Sequence, residues 1–169
     1  MKIKGEVFKF GNDINTDLII SGRYKFSITD MKELAQYLFE DIRPKFYNEI
    51  KNKKAIIVGG SNFGMGSSRE QAPWVIKEAG ILCVVAKNFA RIFYRNAFNI
   101  GLPLIEADTA CLEERDIITL DLDKGIIYKD GDDNLIKFPP FDNFRRELIK
   151  ESGIINYLAK YGKLSQDSR

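Results

Sequence analysis

Two hydroxyls and a guanidinium stand together at the end of a glycine-rich stretch: Ser67, Ser68 and Arg69 in GGSNFGMGSSRE, residues 59–70. A serine hydroxyl donates or accepts a hydrogen bond. An arginine presents a planar fork of N–H donors that meets a carboxylate or phosphate with two parallel bonds. Gly59, Gly60, Gly64 and Gly66 permit the tight turns and close backbone approach that bring a ligand to those groups. The stretch follows the apolar run AIIV (55–58) and precedes a helical pattern. In open α/β sheets that junction is where ligands bind, and a helix start adds free N–H groups and the positive end of its dipole. The expected ligand is therefore a small anion. Two familiar phosphate loops do not fit: GxxxxGK[ST] is absent, and the G-x-G at 64–66 lacks a third glycine in register.

A purely structural explanation competes. Ser67-x-x-Glu70 has the form of a capping box, which by itself accounts for a serine and a glutamate before a helix. Pro73 argues against it, because a helix capped by Ser67 would carry proline beyond its first turn. Either the regular helix begins nearer Glu70, or 67–70 forms its own turn. Both arrangements leave the serines in the loop.

The rest of the composition narrows the chemistry. The 169 residues contain no histidine, so acid–base work falls to Ser, Asp, Glu, Lys, Tyr or Arg, or to a partner's groups. Cys83 and Cys111 are the only cysteines, which is too few for a four-ligand cluster or zinc site, so no metal is expected on this chain. Cys83 lies in an apolar run and should be buried; Cys111 should be exposed. A net charge of +2 with no basic block argues against nucleic acid as the main partner. No signal-peptide pattern opens the chain, and no apolar run approaches the ~20 residues of a membrane span. A reducing cytoplasm is the expected compartment.

The elements that must hold the loop can be read from periodicity. Residues 3–10 alternate as a strand, and 11–29 form a long irregular segment. Thr29 or Asp30 should cap a helix from Met31 to about Asp41, with Leu34, Leu38 and Ile42 as its apolar stripe. AIIV (55–58), Ile81–Ala86 and PLI (103–105) read as buried strands. They alternate with helices around Ala72–Ala79, ended by Gly80, and around Phe89–Asn99, closed by Gly101. Such alternation implies parallel strands. From Asp116, DIITLDLD, GIIYKD and NLIKF alternate with period two around turn residues, which predicts an antiparallel segment. Helices broken near Gly153 fill 141–161, and 162–169 should fray. The expected fold is α/β: one domain over 1–169 with a part-parallel sheet, flanking helices and an antiparallel β segment in the C-terminal third.

Four motifs occur in order: N-T-D at 15–17, G-R-Y at 22–24, N-F-G-M-G-S-S-R-E at 62–70 and F-A-R-I-F-Y-R-N at 89–96. Together they resemble the small subunits of the 3-isopropylmalate dehydratase and homoaconitase family, the detached swivelling domain of the aconitase superfamily. The resemblance runs from about Lys4 to Tyr161. It implies a swivelling-type β/β/α domain that is inactive alone and completes its active site with a large subunit carrying a [4Fe–4S] cluster, as a heterodimer or heterotetramer. It implies Ser67 as the catalytic base and Asp17 as part of a proton-shuttling acidic set. Arg69, Ser68 and Thr16 are implied as substrate-binding residues. The family's cysteine in the loop is Met65 here, and a frequent histidine is Gln71.

The resemblance also places a specificity loop at Tyr24, Lys25, Phe26 and Ser27. Homoaconitase types tend to carry arginine there for a distal carboxylate. Phe26 stands in that place and suits an isopropyl group, although Lys25 could reach a carboxylate. The expected activity is interconversion of 2- and 3-isopropylmalate by dehydration and rehydration, in leucine biosynthesis. A homoaconitase-type or broad 2-hydroxy acid hydro-lyase subunit is one alternative, and a free-standing small-anion binding module is another. Arg91 and Arg95, four apart on one helix face, are expected either to bind acid groups or to line the subunit interface. Self-association of the lone chain and mobility of 12–29 without the partner are further expectations.

Overall fold

The structure, a computed structural model, describes residues 1–67, 69–132 and 135–163. The role expected of Ser68, and the tail from 164 on, lie outside these residues. Among the described residues, seven strands form one sheet in the order β4-β3-β2-β1-β5-β6-β7. Strands β1 (Lys2–Lys9), β2 (Ala55–Val58), β3 (Cys83–Ala86) and β4 (Leu104–Glu106) run parallel, with Phe8 opposite Ile57 and Ile57 opposite Val84. Strands β5 (Ile117–Asp121), β6 (Ile126–Lys129) and β7 (Leu135–Lys137) continue antiparallel from β1. Every residue of β2 and β3 is buried, which is why both read as unbroken apolar runs: helices cover the parallel half of the sheet. One hydrophobic core joins Val7 in the first strand to Phe141 near the last helices.

Helix α5 (Gln71–Glu78) crosses from β2 to β3 and ends at Gly80, whose φ is +86°. Helix α6 (Arg91–Asn99) crosses from β3 to β4. Helices α7 (Asn143–Lys150) and α8 (Ile154–Tyr161) flank Gly153 and close the chain against α6. The Cys83 thiol is buried and Cys111 is exposed.

Two local expectations need correction. The helix expected over 31–41 is only α3 (Met31–Ala35), capped by Asp30, whose carboxylate accepts from the Glu33 N–H at 2.8 Å. Its continuation is broken because Phe39 takes φ +56°, donates its N–H to the Ile19 carbonyl at 2.9 Å, and stacks on Phe10 at 4.2 Å. Burying that ring outweighs another turn of helix. Leu34 and Leu38 are buried as the stripe required, but Ile42 is 40% exposed. A short helix over Phe46–Ile50, α4, was not foreseen; it buries Phe46 and Ile50, one turn apart.

The 11–29 segment holds two one-turn helices, α1 (Thr16–Ile19) and α2 (Gly22–Lys25). Asn15 caps the first by accepting from the Leu18 N–H at 2.9 Å. Among the described residues, no helix is long and apolar enough to cross a membrane.

Candidate active site

The parallel strands β1, β2 and β3 end on the same side of the sheet, and the loops that leave them are laced together. The Gly64 N–H reaches the Ile14 carbonyl at 2.7 Å and the Thr16 N–H reaches the Met65 carbonyl at 2.9 Å. On the other side the Phe63 N–H reaches the Asn88 carbonyl, and the Ala90 N–H reaches the Phe63 carbonyl. The glycine-rich loop thus lies between 12–16 and 88–90 as an irregular extension of the sheet. Asparagines finish the lacing: Asn12 accepts from the Ser61 N–H and Asn88 from the Asn62 N–H, each at 2.8 Å.

Close approach to α6 requires glycine at 64. Its φ is +79°, and a Cβ there would sit 2.2 Å from Phe93 Cγ. Phe93 is itself packed against Phe63 and Phe89.

Past Gly66 the chain turns, the Arg69 N–H closing on the Ser67 carbonyl at 2.7 Å, and α5 starts at Gln71. Ser67 does not cap that helix. Glu70 occupies the cap position without a side-chain bond, and Pro73 falls third in the helix, where an N–H has no intrahelical partner to lose. The capping-box explanation is therefore displaced, and Ser67 is an exposed loop residue.

Four of the expected residues meet here. Arg69, 14% exposed, forms an ion pair with Asp17, and its Nη1 donates to the Ile20 carbonyl at 3.2 Å. Thr16 is buried, and its hydroxyl donates to the Ser67 carbonyl at 3.0 Å. Helix α1 therefore holds both the arginine and the loop that carries the serine. Thr16, Ser67 and Arg69 line an open cleft of about 920 Å³ whose opposite wall is α6. Arg91, Ile92 and Arg95 face that cleft.

Tyr24–Ser27 do not line it. Tyr24 stacks on Tyr37 at 4.1 Å, and the Ser27 hydroxyl donates to the Arg23 carbonyl at 2.9 Å. Phe26 is 83% exposed, with the Lys25 ammonium 5.6 Å from its ring. Helix α2, which carries this segment, begins two residues after Ile20 and so adjoins the arginine's anchor.

The cleft also contains residues that sequence reasoning missed. Glu106 comes from β4 and Arg145 from α7, with the Arg145 guanidinium 5.6 Å from the Phe98 ring. No local pattern marks either one; tertiary packing brings them in. Tyr94 is the third, and burial pushes its hydroxyl above the ordinary tyrosine range, with Glu106 and Asp142 adding to the rise and Arg145 opposing it. It remains a protonated hydroxyl at neutral pH.

Residues 16–109 match the aconitase C-terminal domain. The chain is 47% identical to the 3-isopropylmalate dehydratase small subunit of Caldanaerobacter subterraneus subsp. tengcongensis, over 92% of this chain and 97% of that one. The chain belongs to the 3-isopropylmalate dehydratase small-subunit family, within the aconitase superfamily. Membership extends to an archaeal relative, small subunit 2 of Archaeoglobus fulgidus, at 43% identity over 97% of this chain and 99% of that one. The crystal structure of a 3-isopropylmalate dehydratase (leuD) from Methanocaldococcus jannaschii superposes with a TM-score of 0.88, at 45% identity and covering 96% of each chain.

The iron–sulfur cluster that the sequence resemblance implies would find no holder among the described residues of this chain. Cys83 is buried and Cys111 stands alone on the surface. Among the described residues, no three His, Cys, Asp or Glu side chains converge as a metal site.

Proposed function

We propose that this chain is the small subunit of a two-subunit 3-isopropylmalate dehydratase, and that it brings Ser67 and Arg69 to an active site whose [4Fe–4S] cluster belongs to the large subunit. The observation that carries the reading is the pairing of an exposed serine hydroxyl with a recessed, pre-oriented arginine at one cleft. Arg69 is held by Asp17 and the Ile20 carbonyl, so little freedom is lost when it takes a substrate carboxylate.

Ser67, as its alkoxide, takes the proton from the carbon beside a carboxylate. The C–H electron pair becomes the C=C bond, and the hydroxyl on the neighbouring carbon leaves as hydroxide, which takes a proton from an acid group of the large subunit to become water. Water then gives one proton back to that group and adds as hydroxide to the carbon that lost the C–H proton, while Ser67 returns its proton to the other carbon, giving the isomer and restoring the alkoxide. An unassisted serine is far too weak an acid for this. Positive charge from Arg69, and exclusion of water once a large subunit covers the cleft, supply the bias. Asp17 orients Arg69 and can pass protons to the partner's acid groups.

Phe26 favours isopropylmalate over longer tricarboxylates, because an apolar ring covers an isopropyl group and cannot pair a carboxylate. It stands outside the cleft wall, so its contact with substrate requires the α2 segment to fold inward. The cytoplasm is the proposed compartment, consistent with two unbridged thiols.

The test is anaerobic reconstitution with the large subunit over a panel of 2-hydroxy acids. Turnover of isopropylmalate that needs both chains supports the reading. A cluster-loaded large subunit that gains no hydro-lyase activity from this chain, while the lone chain binds small anions, sinks it.

A further inference from the structure

The sequence has nine arginines, of which Arg169 lies outside the described residues. Of the other eight, six are paired with a carboxylate, from Arg23 with Asp41 to Arg146 with Asp123. The remaining two are Arg91 and Arg95. They stand one turn apart on α6, both exposed, and both line the cleft that holds Ser67. Between them Ile92 leaves 45% of its surface in solvent. An exposed apolar residue between two arginines that have no carboxylate partner among the described residues matches the composition of protein interfaces, where Arg is enriched.

The cleft is also larger than its substrate. A volume of about 920 Å³ lies at the upper end of what drug-sized ligands occupy, well above the needs of a seven-carbon hydroxy diacid. The recessed Arg69 already provides for a substrate carboxylate. The charge of Arg91 and Arg95 lies on the opposite wall and has no carboxylate partner among the described residues.

We infer that Arg91, Ile92 and Arg95 form a docking surface on α6 that receives a segment of the large subunit bearing two carboxylates. The inference rests on the two-subunit reading above. Two guanidiniums at i and i+4 present a charge pair to which two acidic side chains of one partner segment are complementary, and Ile92 supplies the apolar contact between them. The segment fills the outer cleft and excludes water from Ser67.

The experiment measures association of this chain with the cluster-loaded large subunit at several salt concentrations, together with turnover of isopropylmalate. The variants are Arg91→Gln/Arg95→Gln and, as a charge-keeping control, Arg91→Lys/Arg95→Lys. The glutamine variant should bind at least about tenfold more weakly, with a shallower dependence of affinity on salt. Its lost turnover should return when it is added in excess, and the lysine variant should bind within a few-fold of wild type. Thermal melts at the wild-type temperature confirm that both variants fold.

Undiminished affinity for the glutamine variant overturns the inference. So does a raised KM for isopropylmalate that persists at saturating subunit, since that would make these arginines substrate groups. If the wild-type chain itself does not associate, the two-subunit reading falls and takes this one with it.

Discussion

Substituting Gly64 by alanine should unfold the loop's seat against α6, and its cost can be separated into two parts. The φ of +79° penalises any side chain by about 1–2 kcal/mol. In addition the new Cβ would meet Phe93 Cγ at 2.2 Å and Phe93 Cβ at 2.6 Å. Phe93 cannot swing away, because it is 3% exposed and wedged between Phe63 and Phe89. Overpacking of that kind costs about 1–3 kcal/mol, so Gly64→Ala should lose about 2–5 kcal/mol in all. Gly80 provides the control: its φ is +86°, and a Cβ there meets nothing within 4 Å. Gly80→Ala should lose only the backbone part, about 1–2 kcal/mol. For a chain of this length each kcal/mol lowers Tm by about 2–4 °C, giving falls of about 4–20 °C against about 2–8 °C. Circular dichroism melts and urea titrations on both variants measure the difference, provided the urea slope is unchanged. Equal destabilisation of the two variants would refute the argument that contact with α6 demands glycine at 64.

Three other outcomes follow from the geometry. Hydrogen bonds from Arg43, at 2.7 Å to each oxygen, are the largest influence on Glu49 and hold its carboxyl below the usual range, with burial opposing. A depressed carboxylate stabilises the fold above its unfolded pKa of about 4.3, and that stability is lost as pH falls through the folded value. Glu49→Gln should therefore cost about 1–3 kcal/mol at pH 7, and the gap to wild type should narrow below about pH 4 in urea titrations. Burial pushes the Cys83 thiol well above its ordinary value while Cys111 is exposed. A thiol reagent should then modify one cysteine in the native chain and two in denaturant, and fast double modification would contradict the burial. Phe26→Arg, in the reconstituted enzyme, should lower kcat/KM for isopropylmalate about tenfold or more and raise it for tricarboxylates; an unchanged substrate ratio would remove Phe26 from substrate choice.

Much of the frame was legible because its signals are local. AIIV and the CVVA run announce parallel strands by being apolar throughout, and Gly80 and Gly101 mark helix ends with positive φ. Pro73 foretold that Ser67 would stay in the loop, since only a helix starting near Glu70 tolerates it. What escaped was set by distant partners. Phe39 leaves the helical path to reach Ile19 and Phe10, and nothing in residues 31–41 encodes those neighbours. Arg145 and Glu106 enter the cleft from α7 and β4 by packing alone. Thr16 was expected as a substrate group by resemblance, and the structure has its hydroxyl tethering the Ser67 carbonyl. That tether is a tertiary contact across 51 positions of sequence, which no local pattern can reveal.

The most direct test of the account is the turnover of Ser67→Ala in the reconstituted complex, compared with wild type at saturating large subunit. Ser67 is exposed and makes no side-chain cap, so its loss should leave folding and subunit affinity intact. If its oxygen removes the C–H proton, kcat falls by about 10²–10⁴-fold while KM changes little. Full turnover by the alanine variant would contradict the claim that this hydroxyl is the base.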